Sequence, residues 1–220
     1  MNRLFTRSNA TKSHAPFGRA AWLIVLAVCL MIPSLSGCGQ VTPLNYVDET
    51  EAWEKLRREG YIALTAKNYS QAEKLYGDAL VQSKKFVDSD LRRATSLSEL
   101  ADVLVAEKRF GQAERLYSQS LPLYEHLFQP GHFDYENGLC GENLSRVLSS
   151  LANIYRQDGR YLQAESAYAR ALAILKGVEG SVKERRRVAS EYASMLRSLN
   201  RSAQAAELEH FHDPIDDLID

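Results

Sequence analysis

The sequence has few of the features by which enzymes and disulfide-stabilised proteins are recognised. Its 220 residues include only three cysteines, Cys29, Cys38 and Cys140, which is too few for a disulfide framework. It also has no nucleophile elbow, no phosphate-binding loop and no HExxH sequence. We therefore expect no catalytic residues, no cofactor and no enzyme activity.

Histidine and cysteine are too scattered to predict a metal site. His126, His132 and Cys140 are separated by six and eight residues, a spacing that matches no recurrent metal-binding motif. His210 and His212 precede an acidic stretch, residues 214–220, that is best interpreted as a solvated tail. We expect no metal, and we expect Cys140 to be a half-buried small apolar residue.

The sequence also lacks an apolar run long enough to span a bilayer. The longest run, residues 20–35, has about 16 residues and is interrupted by Pro33, whereas a spanning helix needs about 20. The leader before it carries four basic residues and no acidic ones, and the run closes in Leu35-Ser36-Gly37-Cys38. These features resemble a bacterial lipoprotein signal.

The resemblance implies that residues 1–37 are removed as a signal peptide and that Cys38 is lipidated and becomes the new N-terminus. Two alternatives stay open: processing at Cys29, and a single membrane-spanning anchor. Without the leader, 23 basic residues stand against 28 acidic ones, a net charge near −5. That balance argues against nucleic acid as a partner, because such proteins need a concentrated basic surface.

One pattern is repeated three times, in residues 69–80, 110–121 and 161–172. Each stretch has an aromatic residue, an alanine three positions later, a second aromatic after four more, and a small residue three further on. The twelve residues are Tyr69, Ala72, Tyr76, Ala79, Phe110, Ala113, Tyr117, Ser120, Tyr161, Ala164, Tyr168 and Ala171. They fall on one stripe of a helix, where small residues admit a close neighbour, so the pattern predicts stacked helices in an α-solenoid.

With Gly60, Ala101 and Ala152, these units resemble tetratricopeptide repeats of the long kinesin-light-chain type. The successive repeats are 41, 51 and 41 residues apart. The resemblance implies an all-α, right-handed superhelix of three helical hairpins plus a degenerate C-terminal capping repeat. That last unit keeps Ala193 and Ala205 but has Ser202 and Glu209 in the aromatic positions.

The periodicity predicts a tether at 38–47 and a solenoid at 48–213. The predicted helices are 48–65, 69–86, 90–107, 110–127, 142–157, 161–176, 181–199 and 202–211. Capping boxes are expected at Asp48 with Glu51 and at Ser181 with Glu184. The extra ten residues fall in an insertion, residues 128–141, which is either a tolerated loop or a second contact surface.

The resemblance also implies a peptide-binding groove lined by the first helix of each hairpin. The repeat positions that line it carry Tyr61, Arg146, Asn153, Arg156, Arg187 and Arg197 in this sequence. Guanidinium groups bind carboxylates and an amide can pair with a peptide backbone, so an acidic or C-terminal peptide is the expected ligand. The alternative is that these arginines form only a solvated face. Arg57 and Tyr61 replace the lysine and asparagine of the family's carboxylate clamp, which argues against that mode of binding.

These features together predict a lipid-anchored scaffold or adaptor of the bacterial cell envelope. The resemblance to lipoproteins also implies a location, because Gly39 follows the lipidated cysteine in place of the aspartate that the family associates with inner-membrane retention; this favours the outer membrane, facing the periplasm. A self-assembling structural module and an accessory subunit of an envelope enzyme are the alternatives. The sequence leaves the oligomeric state open.

Overall fold

The computed structural model describes the backbone of residues 43–86, 91–129 and 135–209. All regular secondary structure in these ranges is helical. The eight helices are α1 (Pro43–Thr65), α2 (Tyr69–Ser83), α3 (Leu91–Ala106), α4 (Phe110–Leu127), α5 (Tyr135–Gln157), α6 (Tyr161–Lys176), α7 (Val182–Ser198) and α8 (Ser202–Glu209). They pack as four hairpins, α1/α2, α3/α4, α5/α6 and α7/α8, and each hairpin also contacts the next one. The predicted α-solenoid is confirmed.

The repeated small residues form the contacts between helices, as the sequence predicted. Eight alanines or serines of the repeat are fully buried, namely Ala72, Ala79, Ala101, Ala113, Ser120, Ala152, Ala164 and Ala171. The second aromatics, Tyr76, Tyr117 and Tyr168, are also buried. A Cβ on Gly60 would lie 3.1 Å from the Tyr76 ring, so the absent side chain allows that tyrosine to pack. Ala193 and Ala205 are buried in the fourth hairpin as well.

The first helix of each hairpin ends in the same backbone turn. The amides of Asn68, Arg109, Arg160 and Arg201 each donate to the carbonyl five residues earlier, over 2.8 to 2.9 Å. The residue before each donor has positive φ, between 59° and 73°. A left-handed residue followed by this long-range hydrogen bond is the Schellman ending of a helix, and it reverses the chain into the second helix.

Helix α1 begins at Pro43, five residues before the predicted start. Asp48 therefore lies inside the helix and does not cap it, so the predicted capping box with Glu51 is wrong. The last five residues of the expected tether are helical, while the signal peptide, Cys38 and the rest of the tether lie outside the described residues. Pro43 suits the first helical position because its φ is fixed and it has no amide hydrogen to leave unpaired.

The predicted capping box before α7 is also wrong. Ser181 precedes the helix, but its hydroxyl makes no cap bond and donates instead to the carbonyls of Leu175 and Val178, each at 2.7 Å. Glu184 accepts from Arg187 one turn later. Burial of Ser181 in the connection from α6 explains the difference, because its hydroxyl satisfies carbonyls left free at the end of that helix.

The insertion is helical in its last part, since α5 begins at Tyr135 and extends the predicted helix by seven residues. Residues 130–134 lie outside the described residues, and His132 is among them. The Asn137 side chain donates to the carbonyl of Gln129 at 2.9 Å and accepts from its amide at 2.8 Å. This paired contact fixes the start of α5 against the end of α4.

Cys140 is buried, with 2% of its surface exposed, more deeply than the half-buried position expected. Its thiol donates to the carbonyl of Tyr124 at 3.4 Å, and burial raises the pKa of the thiol to about 11. No helix among the described residues is long and apolar enough to cross a membrane. Residues 210–220, with the two histidines and the acidic tail, lie outside the described ranges.

Candidate functional site: the face formed by the first helices

The first helices α1, α3, α5 and α7 lie side by side and form one polar face, called here the first-helix face. Arg57 on α1 makes a bidentate ion pair with Glu99 on α3. Asp102 on α3 pairs with Arg146 on α5, and Asn153 on α5 bonds to Glu191 on α7. A polar contact thus joins each first helix to the next along the array.

Arg146 is the most enclosed of the predicted groove arginines. Its guanidinium forms an ion pair with Asp102 and donates to the hydroxyl of Ser98 at 3.3 Å, while Tyr117 donates to the second Asp102 oxygen. Burial opposes the charge on Arg146, but Asp102 together with Tyr124, Tyr117 and Glu99 outweighs it, and the net effect raises the pKa of the arginine. The tightly paired Arg146 joins α3 to α5 and has little capacity left for a ligand.

Asn153 is likewise engaged within the protein. Its amide nitrogen donates to Glu191 at 2.9 Å, and its amide oxygen accepts from the Tyr168 hydroxyl at 2.7 Å and from Arg156 at 3.4 Å. The Tyr168 ring stacks on Tyr192, with 5.3 Å between the ring centroids. Asn153 therefore connects three helices and retains one amide hydrogen to offer to a peptide.

Arg187 and Arg197 are paired with carboxylates of their own hairpin. Arg187 binds both oxygens of Glu184, at 2.6 and 3.0 Å, pairs with Glu191 and donates to Ser149 on α5 at 3.0 Å. Arg197 on α7 pairs with Glu209 on α8. The positive charge that the sequence assigned to this half of the face is therefore largely neutralised in the fold.

Arg156 differs from the other three predicted arginines. The single hydrogen bond of its side chain to another described residue is the 3.4 Å contact with Asn153, and its Nε atom is buried without a partner. No described carboxylate forms an ion pair with it. Tyr61, at the equivalent position to Asn153 two hairpins earlier, is 63% exposed. Arg156 and Tyr61 are thus the two predicted residues that the fold leaves open.

Sequence reasoning missed the acidic partners on this face. Glu191 and Glu209 were not predicted as site residues, although they neutralise the candidate arginines Arg187 and Arg197. Glu99 likewise neutralises Arg57 on the same face. One signal was present: Arg57 and Glu99 lie 42 residues apart, close to the 41-residue interval between their repeats. Opposite charges at that spacing indicate contacts between neighbouring hairpins.

A second set of ion pairs follows the turns between helices. Arg109, Arg160 and Arg201, each just after the left-handed residue, pair with Glu73, Glu114 and Glu165 of the preceding hairpin. The first hairpin has Asn68 in the arginine position, and the fourth has Ala206 in the glutamate position. The series is therefore confined to the three junctions between the four hairpins.

The second helices α4 and α6 border an apolar slot of about 340 Å³, called here the α4/α6 slot. Leu148, Leu151 and Tyr155 of α5 line it, together with Leu121 of α4 and Ala167 of α6. The ion pairs Arg160–Glu114 and Arg170–Glu125 also join α4 with α6. Along both helices, the residues of the slot fall between these two pairs.

Four stacked hairpins with one polar face and buried small residues define an α-solenoid of the helical-repeat class. Comparison with known families identifies the repeats: residues 54–126 match one tetratricopeptide-repeat model and residues 147–181 match another. The chain therefore carries tetratricopeptide repeats, and no catalytic family is indicated. No curated protein sequence shows significant similarity to the chain.

Solved structures share the fold at low sequence identity. One is a kinesin light chain-like protein from Podosopora anserina, described as having nearly identical TPR-like repeats. Its sequence is 15% identical to this chain, and the two structures superpose with a TM-score of 0.52. The match covers 85% of this chain and 79% of that one. BtubC (BKLC) from P. vanneervenii is 20% identical, with a TM-score of 0.53, covering 80% of this chain and 79% of its own. The predicted similarity to repeats of the kinesin-light-chain type is confirmed at the level of the fold.

Proposed function

We propose that this protein is a lipid-anchored scaffold of the bacterial cell envelope that binds a partner peptide along its first-helix face. Tetratricopeptide repeats support the protein-binding role, because a solenoid of stacked hairpins offers an extended surface for recognition. The anchor would be Cys38, acylated after removal of residues 1–37. The protein would then lie on the outer membrane, facing the periplasm.

The observation that carries the binding site is the state of Arg156. Arg156 is half-buried and forms no ion pair with a described carboxylate, so a ligand carboxylate placed against its Nη atoms would gain charge-assisted hydrogen bonds. The other predicted arginines already pair with carboxylates of the protein. We therefore expect a carboxylate of an acidic peptide to gain the most binding free energy at Arg156. Tyr61 would supply an exposed aromatic contact further along the face.

Cross-linked co-purification from native membranes tests this site, comparing the wild type with Arg156→Gln and Arg156→Glu at matched expression. We expect the partner to be lost progressively, with affinity reduced roughly tenfold to a hundredfold when a charged contact is removed. Arg115→Glu, an exposed arginine on α4, is the matched control for charge reversal elsewhere on the array. A partner recovered equally by all four proteins would place the binding site away from Arg156.

The anchor is tested separately by Cys38→Ser. The variant should fail to incorporate labelled palmitate and should leave the membrane fraction, because a lipidated cysteine supplies the acyl chains that hold the protein there. Cys29→Ser is the control, since it alters the competing cysteine. Label retained by Cys38→Ser would overturn the proposed anchor without bearing on the peptide site.

Self-assembly is a second candidate function, favoured by the α4/α6 slot. An accessory subunit of an envelope enzyme would use the same binding face as the scaffold. Enzyme activity that depends on co-purification with this chain, and on Arg156, would distinguish the accessory role.

A further inference from the structure

The α4/α6 slot arises from two departures from the repeat, both on α6. The position of Ala167 is occupied by leucine in the other three hairpins, at Leu75, Leu116 and Leu208. The small side chain of Ala167 leaves open the space that those leucines fill. Ser166 similarly replaces the longer Lys74, Arg115 and Glu207.

The same helix carries an exposed leucine beside the space. Leu162 is 85% exposed, and its counterparts in the other hairpins are the small residues Ser70, Gly111 and Ala203. The third hairpin therefore presents both an apolar projection and an apolar recess, at positions where the other hairpins have a small residue and a leucine. We propose that the α4/α6 slot is the contact surface for a second copy of this chain, with Leu162 of each copy seated in the slot of the other.

The spacing on α6 suits a two-fold contact. Leu162 and Ala167 lie five residues apart, about 7.5 Å along the helix axis. If two copies of α6 meet antiparallel with the two-fold axis between residues 164 and 165, each Leu162 faces the Ala167 of its partner. Such a contact is isologous and closed, so it yields a dimer and not a filament.

Charge at the two ends of the slot is complementary under the same operation. The antiparallel arrangement brings Arg170 of one copy level with residue 159 of the other, next to Asp158. The Arg170 and Asp158 side chains are 52% and 48% exposed. Arg170 bonds to Glu125 through Nη2, and its other nitrogens have no partner among the described residues. Asp158 already accepts from Arg160 at 3.1 Å, so Arg170 of the partner copy would share this carboxylate, and each dimer would gain two such contacts.

Sedimentation of the purified full chain over a range of concentrations tests the proposal, with the detergent contribution subtracted where it is needed. The wild type should show a monomer–dimer equilibrium. Leu162→Ser, which installs the residue of the first hairpin, and Ala167→Leu, which fills the slot as the other hairpins do, should each raise the dimer dissociation constant about a hundredfold or more. The effect is large because each substitution is present in both copies and therefore removes two symmetry-related contacts.

Ile62→Ser is the matched control, because Ile62 is another exposed apolar residue, at 61%, on α1. It should leave the dimer unchanged. Ala167→Leu should also remain folded, since it restores the leucine found in every other hairpin. A monomer at all concentrations, or a dimer weakened by Ile62→Ser and not by the two slot variants, would overturn the proposal.

Cross-linking in native membranes provides a second measurement. Ser166→Cys, close to the two-fold axis, should link two copies through a short bis-maleimide, whereas Arg115→Cys, its counterpart on α4, should not. Equal linkage of both variants would reject the slot as the contact. None of these outcomes depends on the peptide site at Arg156.

Discussion

At the scale of single residues, the turns inside the hairpins depend on one left-handed backbone position. Lys67, Lys108, Gly159 and Asn200 occupy it, with φ of 59°, 62°, 73° and 60°. Glycine adopts this conformation freely, whereas a side chain there costs about 1–2 kcal/mol. The two lysines are therefore strained, and the hydrogen bonds of the Schellman turn hold them in place.

We expect Lys108→Gly to stabilise the protein by about 0.5–1 kcal/mol. The relief of strain exceeds the entropy that glycine adds to the unfolded chain, which is about 0.4–1 kcal/mol. Gly159→Ala is the converse change and should destabilise by about 0.5–1 kcal/mol, although a Cβ there would meet no atom within 4 Å. Urea unfolding of the wild type and both variants checks this prediction. Variants that are as stable as the wild type would contradict backbone strain at the left-handed position.

At the scale of elements, the start of α5 depends on a close approach at Gly141. A Cβ on this glycine would lie 2.6 Å from Val178 and 2.8 Å from Phe128. Val178 belongs to the connection between α6 and α7, and Phe128 follows α4. The glycine therefore allows α5 to pack against both chain segments, and the insertion is part of the folded array.

We expect Gly141→Ala to lower the free energy of unfolding by about 1–3 kcal/mol, the usual cost of overpacking a filled site. Gly138→Ala is a control on the same helix, because a Cβ there would have no neighbour within 4 Å. That change should stabilise α5 by up to about 1 kcal/mol through helix propensity. Thermal unfolding followed by circular dichroism separates the two, and a loss of stability in both variants would contradict the packing argument.

At the scale of the whole molecule, buried tyrosines join the two helices within the second and third hairpins. Burial, reinforced by Glu191, raises the pKa of Tyr168 to about 12. Burial and Asp102 raise the pKa of Tyr117, and burial raises that of Tyr124. All three side chains are almost completely buried, and each hydroxyl is hydrogen-bonded to a first helix. The array therefore requires neutral tyrosines.

Stability should fall in alkaline solution for this reason. A tyrosine with a raised folded-state pKa binds its proton more tightly when folded, so its stabilisation is complete below the unfolded pKa of about 10 and is lost above it. Each such tyrosine should contribute a slope of about −1.4 kcal/mol per pH unit between the two pKa values. Urea unfolding from about pH 8 to about pH 12 measures the slope.

Tyr168→Phe should reduce this alkaline slope by the contribution of one tyrosine. It should also lower stability near neutral pH, because Asn153 loses the hydrogen bond from the hydroxyl. A stability that is constant across the alkaline range would show that these tyrosines can ionise without opening the array.

The fold could be read from the sequence because the repeat fixes local geometry and burial together. Ala72, Ala113 and Ala164 lie on one stripe of a helix, and their small side chains require a closely packed neighbouring helix. The stacked hairpins provide both the helix and the neighbour. The bounds of α4 and α6 were predicted to the residue for the same reason. The starts of α1 and α5 were not, since no repeated position marks them and contacts with other segments decide them.

The candidate site was predicted only in part, because a side chain's capacity to bind depends on its neighbours in space. The sequence placed Arg146, Arg156, Arg187 and Arg197 on one face but could not show which carboxylates reach them. Stacking of the hairpins brings Asp102 to Arg146 and Glu209 to Arg197, and it leaves Arg156 open. The sequence by itself determined a repeated helical array, through periodic small and aromatic residues. Only the tertiary structure decided which charges stay available and where a slot opens, since both depend on residues one repeat apart.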